Sequence, residues 1–188
     1  MGYKSSFSAG LVHSKRVFNG FYRYEIRCRI RKELFFGQLS GCLGGALKLM
    51  FQFMSNNTRD IHLNVHKWKD GKTINRSKKS EALILQKIFM SMLLSMSQTF
   101  VRYFIDGSLI YQIPRFVKRN GKYIKKTKLK KGTYYLNPAY PTTGDEIAII
   151  AGNAVSRYRA NDAEELAGNT FPAIMYVDYI RVYERTQP

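Results

Sequence analysis

Between residues 61 and 68 the chain reads IHLNVHKW, and its polar and aromatic members recur at every second position. On an extended strand that spacing sets His62, Asn64, His66 and Trp68 on one face and Ile61, Leu63, Val65 and Lys67 on the other. Two imidazoles, a carboxamide and an indole in one row join hydrogen-bonding groups to a flat π-face. That combination suits a saccharide, whose hydroxyls need polar partners and whose apolar ring face needs an aromatic. Zinc is a poorer fit, because His62 and His66 stand about 13 Å apart along a strand. The alternative is a solvated strand face with one aromatic packed at its edge. Just upstream, residues 47–53 (LKLMFQF) lead into this row without a carboxylate, and no acid occurs between Glu33 and Asp60.

The elements that must position this row read mostly as strands. Residues 21–31 alternate with period two: Tyr22, Tyr24, Ile26, Cys28 and Ile30 on one side, Arg23, Glu25, Arg27, Arg29 and Arg31 on the other. One face is then buried and one solvated, with a substrate contact at Arg27 as the alternative. Residues 8–20 give a short strand and an Asn19-Gly20 turn, a hairpin signal. Residues 100–105 and 109–113 flank an Asp106-Gly107 turn in the same way. Residues 147–151 form a short buried strand, and residues 175–183 a terminal strand rich in β-formers. Residues 82–98 (ALILQKIFMSMLLSMSQ) read locally as a helix, because Leu and Met dominate and neither Gly nor Pro intervenes. Residues 68–79 read as a basic turn region around Asp70-Gly71, and residues 35–53 have no clear period. Residues 115–131 are a lysine-rich loop. The expected class is an all-β sandwich in a single domain, with one helical insert.

Length and composition agree with that class. The 188 residues are enough for one domain with its own core, and 45% hydrophobic with 14% aromatic content fits a globular β-rich protein. No 18-residue uncharged apolar stretch occurs, so no membrane partner is expected. Residues 1–8 contain no apolar run, so no signal peptide is expected within the chain. Cys28 and Cys42 allow one disulfide or two thiols. The formal charge of +18 raises nucleic acid or another polyanion as a partner. No nucleic-acid motif accompanies it, however, and the run KKTKLKK at 125–131 reads as a solvated loop. Nucleic acid is therefore not the expected partner.

Four segments, in order, carry a resemblance: SAGLVHSKRVFNGFYRYEIRCRI at 8–30, HLNVHKW at 62–68, FVRYFIDGSLIYQIP at 100–114 and FPAIMYVDYIRVYER at 171–185. Together they resemble the family 16 glycoside hydrolases, the laminarinase, lichenase, agarase and carrageenase group. The resemblance implies a concanavalin A-like jelly-roll sandwich, a β-linked glucan or galactan as substrate, a monomer, and a secreted or periplasmic location. The family's earlier strands have no counterpart before residue 8, so the resemblance implies a domain incomplete at its N-terminus. It also implies a catalytic strand of pattern E-x-D-x-x-E, with the nucleophile first, an assisting Asp next and the acid/base last. Laid without gaps onto this chain, those positions are Leu47, Leu49 and Gln52, and none is a carboxylate. The resemblance further implies cleft contacts at His66 and Trp68, with His62, Asn64 and Asn153 beside them. No cofactor is implied, apart from a structural calcium that Asp178 could help hold; an ordinary surface role for Asp178 is the alternative. Tyr134 and Tyr135 are candidates for stacking on sugar or for simple packing.

The segments that misfit the resemblance share a possible origin. Codons can be chosen for residues 36–44 so that the frame starting at the third base spells W-P-A-F-W-L-F-G. The same shift over residues 47–51 spells E-I-D-V, and over residues 82–100 a string of strand-like period. The expectation is coding sequence translated out of frame, with the family's acids lost from the chain as written. Three functions are therefore weighed: a family 16 hydrolase that is inactive as written, a sandwich that binds carbohydrate without cleaving it, and a basic polyanion-binding protein.

Overall fold

The structure is a computed structural model describing residues 10–30, 36–44, 47–54, 60–69, 72–81, 89–118, 134–142, 144–153 and 174–184. Among these residues there are only strands, turns and irregular segments, and no helix long and apolar enough to cross a membrane. In chain order the strands are β1 (Gly10–His13), β2 (Phe18–Asn19), β3 (Arg23–Ile30), β4 (Phe36–Gly44), β5 (Leu47–Met54), β6 (Asp60–Lys69) and β7 (Lys72–Glu81). They continue with β8 (Met90–Met96), β9 (Phe100–Ile105), β10 (Ser108–Pro114), β11 (Phe116–Lys118), β12 (Tyr134–Leu136), β13 (Glu146–Asn153) and β14 (Met175–Tyr183).

Two antiparallel sheets carry nearly all of them. The larger runs β1-β13-β4-β5-β6-β7, with β2 also paired to β13; the smaller runs β10-β9-β8-β3-β14. A separate ribbon joins β11 to β12. The sheets meet face to face, and the alternation expected of half-buried strands sets what lies between them. From the larger sheet come Leu47, Leu49 and Phe51 on β5, Ile61, Leu63 and Val65 on β6, and Ile147 and Ile149 on β13. Opposite them lie Met90, Met92, Leu94 and Met96 on β8, with Tyr24, Cys28, Val101 and Tyr103. Each fully buried aliphatic side chain stabilises the sandwich by about 1.5–3 kcal/mol. The layers are also tied by Tyr103, whose ring meets Phe51 edge-on at 5.2 Å and whose hydroxyl donates to the Asn64 carbonyl at 2.9 Å.

Several expectations are met. Residues 61–68 and 175–183 are strands, and Asp106-Gly107 closes the β9–β10 hairpin with positive φ at both positions (45° and 79°), as a two-residue hairpin turn requires. Others are corrected. The helix expected over residues 82–98 is absent where that segment is described. Met90–Met96 is a strand whose residues alternate between buried and half-buried, and residues 82–88 lie outside the described set. Pairing to β3 on one side and β9 on the other supplies two hydrogen-bond ladders and a buried face, which override a weak helix preference. The basic turn expected over residues 68–79 is strand β7 from Lys72 onward, paired with β6 along its whole length. Asn19-Gly20 does turn the chain, with Gly20 at φ 101°, but it does not close a hairpin. β2 before it pairs β13 in one sheet, while β3 after it joins the other. Cys28 is a buried thiol, which removes the disulfide alternative.

Candidate functional site

Strands β5 and β6 lie side by side near the middle of the larger sheet, and their faces away from the core carry the polar row. The register pairs Gln52 with His62, Met50 with Asn64, and Lys48 with His66. Directly opposed residues bring their side chains within contact distance. Asn64 Nδ2 donates to Gln52 Oε1 at 3.0 Å, and this pair forms the centre of the face. Asn64 and Met50, paired in register, are both buried (7% and 3% exposed), yet neither belongs to the core cluster between the sheets. His62 and His66 are half-buried. The His66 and Trp68 rings stack with centroids 6.2 Å apart and planes 26° apart. Trp68 is 41% exposed. Lys48 is half-buried, and burial lowers its pKa. The merely solvated strand face weighed from sequence is thus only partly what is found: its centre is packed, and its Trp68 end is open.

The three positions carried over by the ungapped resemblance do not converge. Leu47 and Leu49 are wholly buried between the sheets, whereas Gln52 lies on the polar face. Strand geometry is the reason: positions 47 and 49 share a face, and position 52 lies an odd number of residues away on a strand whose register to β6 is unbroken. The face that meets the His-Trp row carries Lys48, Met50 and Gln52 instead. Sequence reasoning missed Lys48 and Met50; the signal was available in the alternation of residues 47–51, once their inward face is known. Asp60 shares the parity of His62 and His66 on β6, and its register partner on β7 is Glu81. It stands at the strand's start, about 20 Å from His66 along β6.

The remaining candidates lie apart. Asn153 ends β13, in register with Gly10 on β1 and Gly37 on β4, so one strand separates it from β5. Asp178 sits at a bulge in β14, in the other sheet. Its Oδ2 accepts from Arg27 Nη1 at 2.6 Å, and both side chains are more than two-fifths exposed. The surroundings do not fit calcium, which needs six or more oxygens, and no group of three metal-ligating side chains occurs among the described residues. Arg27 faces Asp178 and the Phe89 ring, away from the β5–β6 row. Lys67, on the apolar side of β6, is accommodated at the core's edge by Asp145 at 3.0 Å and the Tyr140 carbonyl at 3.2 Å. The side chains of Tyr134 and Tyr135 and residues 125–131 lie outside the described set.

No family model and no curated protein matches the sequence. Solved structures do match. The chain is similar to β-agarase B from Zobellia galactanivorans: TM-score 0.63, 15% identity, covering 93% of this chain and 70% of that one. It is similar to the mixed-linkage glucan family 16 glycoside hydrolase of Bacteroides ovatus, in complex with its product, with TM-score 0.67, 13% identity, and 92% and 73% covered. A third is the endo-β-1,3-glucanase from Pyrococcus furiosus, with TM-score 0.63, 20% identity, and 92% and 65% covered. The fold is the all-β jelly-roll sandwich of the family 16 glycoside hydrolases.

Proposed function

We propose that the chain is a polysaccharide-directed protein of the family 16 type, which holds a β-linked glucan or galactan along the β5–β6 face and, as written, does not cleave it. The observation that carries this reading is the stacked His66–Trp68 pair, set beside the Gln52–Asn64 hydrogen bond on one strand face. A pyranose ring laid on Trp68 buries its apolar C–H face, while its hydroxyls meet His66 and the Lys48 ammonium, and a further sugar of the same chain meets His62, about 20 Å from Trp68 along β6. The retaining double displacement works differently. One carboxylate attacks the anomeric carbon while a second protonates the leaving oxygen and then activates water, and the two stand about 5–5.5 Å apart. The β5 positions on this face are Lys48, Met50 and Gln52, which supply neither a nucleophile nor an acid/base. On this reading the protein works outside the cytoplasm, as a monomer and without a cofactor, as the family resemblance implies.

Electrophoresis through gels containing laminarin, lichenan or agarose, with reducing ends measured in parallel, tests both halves. The expected result is retarded migration in at least one gel without sugar release. Unretarded migration in every gel overturns the binding half. Release of reducing ends above a boiled control overturns the other half and turns attention to Asp60.

A further inference from the structure

The smaller sheet has an outer face of its own, directed away from β5 and β6. Where β3 begins and β8 ends, that face is indented by a cavity of about 750 Å³, a volume within the range of small-molecule sites. Its lining includes Tyr22, Arg23, Glu25, Arg102, Tyr183 and Glu184. The strand members among these alternate with the core residues Tyr24, Val101 and Tyr103, so they point outward by the parity that fills the core.

The floor is held in place. Glu25 Oε1 accepts from the Ser91 and Tyr179 hydroxyls, and Oε2 accepts from Tyr183 at 2.8 Å. Burial alone would raise the Glu25 pKa. The hydrogen bonds from Ser91, Tyr183 and Tyr179, with the charge of Arg181, outweigh it and keep the carboxylate ionised. At the rim the Tyr22 hydroxyl donates to Glu184 at 3.4 Å. The Arg102 guanidinium lies 4.8 Å from the Phe100 ring centroid, and its Nε–H is buried without a hydrogen-bond partner. A buried donor in that condition is costly unless an acceptor reaches it.

The lining carries two arginines and two glutamates, so its formal charge is zero although the whole chain is at +18. That balance argues against a polyanion here. Planar forks that donate, carboxylates that accept, and tyrosine rings between them are the groups that grip a neutral polyhydroxylated ligand. We propose that this cavity is a second saccharide site, taking a short stretch of neutral oligosaccharide on the face opposite the β5–β6 row. Arg23 and Arg102 donate to sugar oxygens, Glu25 and Glu184 accept from sugar hydroxyls, and the Tyr183 ring packs against the pyranose. The proposal rests on the polysaccharide reading only for the choice of sugar. A protein with both sites would hold one chain at two points or cross-link two chains.

Calorimetric titration with laminarihexaose, cellohexaose and agarohexaose tests it on the full chain. The wild type is expected to bind two equivalents of at least one of them, and Trp68→Ala one. Arg102→Ala and the cavity-filling Ser95→Trp are each expected to keep one equivalent and weaken the other by about tenfold or more, the scale of losing hydrogen bonds to a charged group. Unchanged thermal unfolding shows that the variants fold. Loss of all binding in Trp68→Ala, or full binding in both cavity variants, overturns the outer site while leaving the β5–β6 reading intact. The reverse pattern, with Trp68→Ala unchanged and Arg102→Ala losing one equivalent, upholds the outer site and overturns the other. Binding at Arg102 that requires a sulfated sugar, tested with dextran sulfate, overturns the neutral ligand class. Absence of binding at millimolar sugar overturns the proposal outright.

Discussion

Two adjacent residues on β5 should respond oppositely to the same new side chain. Leu47 is wholly buried between the sheets and paired in register with Lys67, while Lys48 is half-buried on the polar face opposite His66. Leu47→Glu removes a packed aliphatic side chain and leaves a carboxylate without a partner. The first effect alone costs about 2–5 kcal/mol, and the carboxylate adds to it unless it takes up a proton. Lys48→Glu exchanges one partly solvated charge for another and should cost within about 1.5 kcal/mol. For a domain of this size 1 kcal/mol corresponds to about 2–4 °C in Tm, so Leu47→Glu should lower Tm by about 4–20 °C before the carboxylate's cost is added, and Lys48→Glu by under about 6 °C. Urea unfolding followed by the fluorescence of Trp68, the single tryptophan, gives the free energies directly. Equal destabilisation by the two variants, or a larger loss in Lys48→Glu, would show that the inward and outward faces of β5 have been assigned the wrong way round.

Other outcomes follow from individual side chains. Trp68→Ala should reduce retardation in polysaccharide gels to what the outer site alone provides, while lowering Tm less than Leu47→Glu does, because the residue is 41% exposed and lies outside the core cluster. Burial, aided by the Asp106 charge, pushes the Cys28 thiol up to about 12. At pH 8 only about one molecule in ten thousand is then thiolate, so Ellman's reagent should leave Cys28 unmodified until denaturant is added. Rapid labelling of Cys28 in the native protein would contradict its placement. The Glu25 carboxyl is held below its ordinary value. Its stabilisation is therefore present above the unfolded-state pKa of about 4.3 and is lost as pH falls through the lower folded value. Glu25→Gln should lower Tm most at neutral pH and least at low pH, and so flatten that acid limb of the Tm–pH curve; an unchanged acid limb would place the dependence elsewhere.

The parts of the fold legible in the sequence are those where side-chain period and local chemistry agree. Residues 61–68 and 175–183 alternate and are rich in β-formers, and Asp106-Gly107 carries its turn in two residue types. The strand at Met90–Met96 was hidden because Leu93 fills an outward position and so erases the alternation that Met90, Met92, Leu94 and Met96 otherwise keep. β7 was hidden because TINRSKKS has no apolar alternation; its pairing along β6 holds it in the sheet. Asn19-Gly20 declared a turn but could not declare its partner, since β2 and β3 leave for different sheets. For the candidate site, the row His62–Asn64–His66–Trp68 could be read from spacing alone. Which side of β5 meets that row could not, because a strand's two faces are distinguished only by what packs against them. The cavity on the smaller sheet is assembled from β3, β8, β9 and β14, and no single stretch of sequence contains it.

The account's central claim is that β5 and β6 present a saccharide-holding face with no cleaving pair of carboxylates. A crystal structure grown with laminarihexaose or cellohexaose addresses it most directly. The account predicts an intact oligosaccharide with one ring laid on Trp68 and hydroxyls on His62 and His66. A cleaved sugar in that groove, or a sugar found everywhere except on Trp68, would contradict it.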